Sequence, residues 1–263
     1  SMVSGKMYDK IFIDDGLRII TSYMPHTKSA SLAFFLGTGS RYETEREAGI
    51  SHFLEHMCFK GSSWHPTTQE ISETIEGMGG SMNAATDREL TTYWCKVPYQ
   101  HCQQALDILS GIILDPLLDK NEVEKERQVI LEELSMTYDM PSYRADLLMD
   151  QVMWPDQPLG RDVGGTKESV QGISRSMLVD YHQRQYTSGN IAIVVAGNIQ
   201  PQQVIDSISR YFRNWNNHKP GTLFPKQDNQ AEPRFAIETR DTEQAHLCLG
   251  FKGVSYSDPD TYP

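Results

Sequence analysis

The sequence predicts an α+β chain in which short strands, some paired through tight turns, are interspersed with amphipathic helices. Three observations carry this. Residues 11–13 and 17–20 are apolar runs flanking Asp14-Asp15-Gly16, where Asp-Gly supplies the positive φ of a hairpin turn. Several later stretches repeat apolar residues at helical spacing. The two kinds of segment are mixed along the chain yet include hairpins, unlike a fully wound parallel sheet.

Taken in order, residues 29–36 form a third, mostly apolar strand that ends at Gly37-Thr38-Gly39. In 48–59, Ile50, Phe53, Leu54 and Met57 fall at i, i+3, i+4 and i+7 and make one apolar helix face. Thr67-Thr68-Gln69-Glu70 fits a capping box and opens a helix that stops near Gly77 or Gly79. Residues 90–97 alternate aromatic and small side chains as a strand does, and 191–196 form another. Further helices are expected at 99–114, 121–138, 142–153, 174–186 and 201–212. From 214 to 233 the chain turns polar and rich in Asn, Lys and Pro, the composition of a linker. Residues 235–238 and 245–251 then read as strands, the second resembling 30–36 in flavour. We therefore expect a unit over 1–213, a linker over 214–233, and over 234–263 the beginning of a second copy that stops at Pro263 before it could finish.

Composition narrows the function. With 263 residues, 38% of them hydrophobic and 22% charged, the chain is too long for a disulfide-stapled module and too apolar for a disordered tail. Asp and Glu (35) outnumber Lys and Arg (24), for a net charge of -11, which disfavours a nucleic-acid partner. The longest apolar runs, 32–36 and 191–196, fall far short of the roughly 18–20 residues of a membrane span, and no secretory leader is expected. Cys58, Cys95, Cys102 and Cys248 form no C-x-x-C pair, so reduced thiols and a cytoplasmic location are the expectation. There is no G-x-S-x-G elbow, P-loop or dinucleotide fingerprint.

The chemistry concentrates in His52-Phe53-Leu54-Glu55-His56, an H-x-x-E-H. On a helix, His52 and His56 lie one turn apart on a face distinct from the apolar one and can bind a single Zn²⁺. Glu55 lies beside them, within reach of a metal-bound water. The competing reading is an amphipathic helix whose polar side happens to carry two histidines. A catalytic zinc needs a third protein ligand, and the acidic run 122–133 offers candidates. At about 100° per residue, Glu126, Val129, Ile130 and Glu133 share one face, while Glu132 points away into solvent. Apolar residues between two carboxylates suggest that this face packs inward, where a carboxylate needs a cation or hydrogen bonds. Glu133 is the better ligand and Glu126 the partner that orients a ligating histidine. The bland alternative for such a run is a solvated acidic helix.

With Glu133 placed far downstream of the histidines, the pattern resembles the pitrilysin (insulinase) family of inverted-motif zinc peptidases, in the branch of mitochondrial processing peptidase and small bacterial zinc proteases. Gly37-Thr38-Gly39-Ser40-Arg41, Phe59-Lys60-Gly61-Ser62, Gly79-Gly80-Ser81-Met82-Asn83-Ala84 and Val195-Ala196-Gly197-Asn198 agree with it. The resemblance implies a mixed, largely antiparallel sheet covered by helices. It implies one Zn²⁺ held by His52, His56 and Glu133, with Glu55 as general base and Glu126 as a supporting glutamate. Asn83 and Ala84 would line a cleft that holds a peptide or unfolded polypeptide as an added β-strand. The partner it implies is a second homologous domain, in cis or in trans, the latter including a homodimer. The family also contains non-catalytic subunits, so a zinc-binding or assembly subunit is the alternative; retention of His52, Glu55, His56 and Glu133 argues against it.

Overall fold

The computed structural model describes residues 7–13 and 16–261. Its strands are β1 (Asp9–Ile13), β2 (Leu17–Tyr23), β3 (Ser29–Leu36), β4 (Ser81–Thr86), β5 (Thr91–Pro98) and β6 (Ile191–Gly197). Its helices are α1 (Ile50–Cys58), α2 (Thr68–Gly77), α3 (Cys102–Leu114), α4 (Lys120–Asp139), α5 (Pro141–Met153), α6 (Lys167–Gly172), α7 (Arg175–Gln185) and α8 (Pro201–Tyr211). The strands make one six-stranded sheet in the order β1-β2-β6-β3-β5-β4. Only β2 and β6 run parallel; every other neighbouring pair is antiparallel.

Period-two alternation sets the layers. Leu17 and Ile19, Leu32, Phe34 and Leu36, Tyr93, Cys95 and Val97, and Ile191, Ile193 and Val195 all turn to one face and are buried there. Helix α3 packs on β3 and β5, and α8 on β2, to cover that face. Helix α1 lies among α4, α7 and β4, so one short helix meets two others and the last strand of the sheet. The first hairpin forms with Gly16 at φ +85°, a region that a Cβ makes costly, while Asp14 and Asp15 lie outside the described residues.

Several expectations need amendment. Strand β4 was not anticipated, since Ser, Asn and Ala have weak strand preference and it is carried by its pairing to β5. The short helix α6 was also missed. At α2 only half of the capping box forms: Thr67 Oγ1 accepts from the Glu70 N–H at 3.1 Å, and the Glu70 carboxylate faces His65 Nδ1 at 3.6 Å instead of turning back. On α4, Val129 is exposed, and the buried face comprises Val123, Glu126, Arg127 and Ile130. The expected strands at 235–238 and 245–251 are absent. Beyond Tyr211 the described chain has no strand, and its sole helical element is a 3-10 turn, Pro259–Thr261. The apolar spacing is there, but a strand needs a ladder partner, and this segment lies against α5 rather than against a sheet edge. It is held there by Arg144 Nε to Glu238 Oε2 at 2.7 Å and Cys248 Sγ to Asp146 Oδ1 at 3.1 Å and by Gly250 lying against Met149 and Met153, while Phe235, Ile237, Leu247 and Phe251 stay exposed.

Candidate metal centre

Helix α1 is anchored at both ends of its first turn. Its N-cap, Gly49, has φ +91°, and a Cβ there would come within 2.4 Å of the Gly164 carbonyl oxygen. Glu43, buried, accepts the Gly49 and Ser51 backbone N–H groups at 2.9 Å each, satisfying two of the donors a helix start leaves open. Ser51 Oγ continues to Tyr181 Oη at 2.6 Å, and Tyr181 Oη to Thr38 Oγ1 at 2.8 Å. Ile50, Phe53, Leu54 and Met57 are fully buried, which leaves His52, Glu55 and His56 on the other side.

His52 Nε2 and His56 Nε2 lie 3.1 Å apart, and Glu133 Oε2, from α4, is 4.0 Å from the first and 3.6 Å from the second. One ligand atom from each of the three residues falls within 4.8 Å of the others, and no other group of three His, Cys, Asp or Glu does so among the described residues. Bonds of about 2.0–2.2 Å in tetrahedral geometry put neighbouring ligand atoms about 3.3–3.6 Å apart, so these spacings straddle what a zinc ion needs. Two imidazole nitrogens and one carboxylate oxygen are also the donor set such an ion prefers. The residues could therefore hold a divalent metal.

The two histidines differ in their electrostatics. Burial, with His56 alongside, pushes His52 down to about 4, so its ring is neutral and offers a lone pair at neutral pH. His52 Nδ1 is buried with no hydrogen-bond partner among the described residues. Burial also opposes charge on His56, but the bond to Glu126 and the charges of Glu133 and Glu55 outweigh it and raise its pKa. His56 Nδ1 meets Glu126 Oε1 at 2.9 Å, which fixes the proton on that nitrogen and leaves Nε2 facing His52 and Glu133. Burial lifts Glu55 above the ordinary carboxylate value despite the Thr86 hydroxyl and His56, which pull it down.

The structure thus gathers His52, His56, Glu133, Glu55 and Glu126 in one place. Asn83 and Ala84 lie on β4, the edge strand, with Asn83 exposed and its Oδ1 accepting the Ala84 N–H at 2.8 Å. Thr86, at the end of the same strand, donates to Glu55 Oε2 at 2.5 Å and ties that edge to the histidine helix. Sequence reasoning passed over Thr86, Glu43 and Lys60. Lys60 alone carried a signal, since 52, 56 and 60 are successive steps of four along one helical line.

Residues 18–167 match the family model described as insulinase (peptidase family M16), and 172–263 match that of the peptidase M16 inactive domain. The chain is 35% identical to the uncharacterized zinc protease YmxG of Bacillus subtilis over 97% of its own length and 62% of that protein's. It is 32% identical to the mitochondrial-processing peptidase subunit beta of Saccharomyces cerevisiae, spanning 57% of that chain. Among solved structures, the periplasmic protease PqqL from Escherichia coli superposes with a TM-score of 0.76 at 26% identity, over 88% of this chain and 26% of that one. A protease from Helicobacter pylori gives a TM-score of 0.77 at 21% identity over 84% of this chain and 53% of that one, a likeness of fold. The chain spans less than two thirds of each of these proteins. A matching family model over more than half of its residues, the inverted histidine motif on α1 and the shared sheet make this chain a member of the insulinase family, peptidase family M16.

Proposed function

We propose that this chain carries the metal-binding unit of a zinc metalloendopeptidase that hydrolyses peptides or small unfolded proteins. His52, His56 and Glu133 would hold one Zn²⁺, which when bound polarises the scissile carbonyl and lowers the pKa of a coordinated water. Glu55 acts as general base: Thr86 occupies its Oε2, leaving Oε1 to take the proton of the attacking water and return it to the leaving amine. Burial of Glu55 raises its proton affinity, which suits a group that must accept and then donate. Glu126 holds the His56 ring. Strand β4, with Asn83 and Ala84, is the edge of the sheet and would receive an extended substrate as an added strand, a mode that tolerates varied sequences. In this reading residues 1–213 form the metal unit, 214–233 link it, and 234–263 begin a second homologous unit that completes the cleft in cis or in trans.

The observation that carries the proposal is the convergence of His52 Nε2, His56 Nε2 and Glu133 Oε2 from two separate helices. Metal analysis after dialysis tests it. The chain should retain about one equivalent of zinc, Glu133→Gln should lose most of it, and Glu55→Gln should keep it while abolishing peptide cleavage by the full-length protein. Full zinc retention by Glu133→Gln, or undiminished cleavage by Glu55→Gln, refutes the assignment.

A further inference from the structure

The polar chain behind His56 does not end at Glu126. Both carboxylate oxygens of Glu126 are engaged: Oε1 lies 2.9 Å from His56 Nδ1 and Oε2 lies 2.7 Å from Lys60 Nζ. The Glu126 side chain is 7% exposed and that of Lys60 25%, so this is a carboxylate largely out of water, held between a ring and an ammonium. Lys60 directly follows Phe59, the C-cap of α1, which brings it one turn beyond His56 along the line already occupied by His52. The three groups therefore form a relay from one solvent-touching cation, through a buried anion, to an imidazole nitrogen.

We propose that Lys60 is a positioning residue of the metal centre: through Glu126 it locks the His56 ring with Nδ1 turned to Glu126 and Nε2 presented toward His52 and Glu133. This rests on the metal-site reading above. The physical case is the cost of a buried charge. With Lys60 removed, Glu126 keeps a single polar partner in a site that excludes most water, and it relieves that cost by rotating toward solvent. That rotation frees His56 Nδ1, and a freed ring can flip and present the wrong nitrogen. A lysine this close to a cation site also acts directly, by repelling the ion. The two effects have opposite signs, with Glu126 lying between Lys60 and the ligand atoms to screen the second.

The sign makes the proposal testable on the 263-residue chain with zinc alone, by competition against a chromophoric chelator. Lys60→Met keeps the aliphatic stem and removes the charge; its zinc affinity should fall about 10-fold, the lower end of the effect of losing a supporting partner. Lys60→Arg should restore affinity to within about 3-fold of the parent, because it restores a cation opposite Glu126. Lys60→Met should add little when placed on Glu126→Gln, since both act through one carboxylate. Unchanged or tighter zinc binding by Lys60→Met in a folded protein, or a loss fully additive with Glu126→Gln, overturns the proposal. Failure of the parent chain itself to bind zinc overturns the metal-site reading beneath it, a distinguishable result.

Discussion

Glu43 offers a perturbation whose sign and size follow from geometry. Its carboxylate is 1% exposed and caps α1 through two backbone N–H groups. Burial pushes its pKa from 4.5 up to about 7, against the bonds from Ser51 and Gly49 and the charge of Arg161. Between these values the folded chain keeps a proton that the unfolded chain has released. The stability contributed by that proton is full below pH 4.5 and is lost as pH rises through 7. At about 1.4 kcal/mol per pKa unit, the loss across the window is at most roughly 3 kcal/mol. Glu43→Gln keeps the shape and one carbonyl acceptor but puts an amide against the second N–H, a pH-independent penalty of about 1–3 kcal/mol. The variant should therefore be clearly less stable near pH 4.5, and the gap should close by about pH 8. Urea denaturation of both proteins, followed by circular dichroism across that range at constant ionic strength, measures the gap directly. Parallel curves would mean that Glu43 is ionised throughout, held by the helix start, and would refute the reasoning.

Two other outcomes follow. Thr86→Val should keep zinc yet lower the turnover number of peptide cleavage about 10-fold with little change in KM, because it frees the Glu55 carboxylate and leaves the ligands alone, and Thr86→Ser should recover it; an equal loss in Thr86→Ser would point to a packing defect. Phe53→Ala should destabilise the fold by about 3–5 kcal/mol, since its ring is fully buried beneath the Arg127 guanidinium, whereas Val129→Ala on the exposed side of α4 should stay within about 0.5 kcal/mol, both read from urea midpoints.

Legibility tracked how local each signal is. Strands β2, β3 and β6 announce themselves because most of their alternate residues are large and apolar, and the structure buries those residues. Strand β4 stayed hidden because its order comes from β5 and not from its own side chains. Residues 235–238 and 245–251 show the converse, an apolar pattern with no partner strand. His52 and His56 were readable from a spacing of four, and Glu133 from its place on the α4 helix, although the inward face is set by Glu126, Arg127 and Ile130 rather than Val129. The bonds from Thr86 to Glu55 and from Lys60 to Glu126 join distant stretches of chain, and Glu43 reaches the start of α1 from an irregular segment just before it; no periodicity encodes any of them.

The position of β6 has a consequence for biosynthesis. It is hydrogen-bonded to β2 on one side and β3 on the other, yet among the described residues it comes after every other strand of this sheet in chain order. Until residues 191–197 leave the ribosome, the nascent chain holds two unjoined flaps, β1–β2 and β3–β5–β4, each with an apolar edge waiting for the same absent strand. The histidine helix, Ile50–Cys58, precedes β6, Ile191–Gly197, by well over a hundred residues, and until then the sheet is incomplete. Such late, long-range closure makes folding slow and leaves sticky edges that invite chaperone capture during translation.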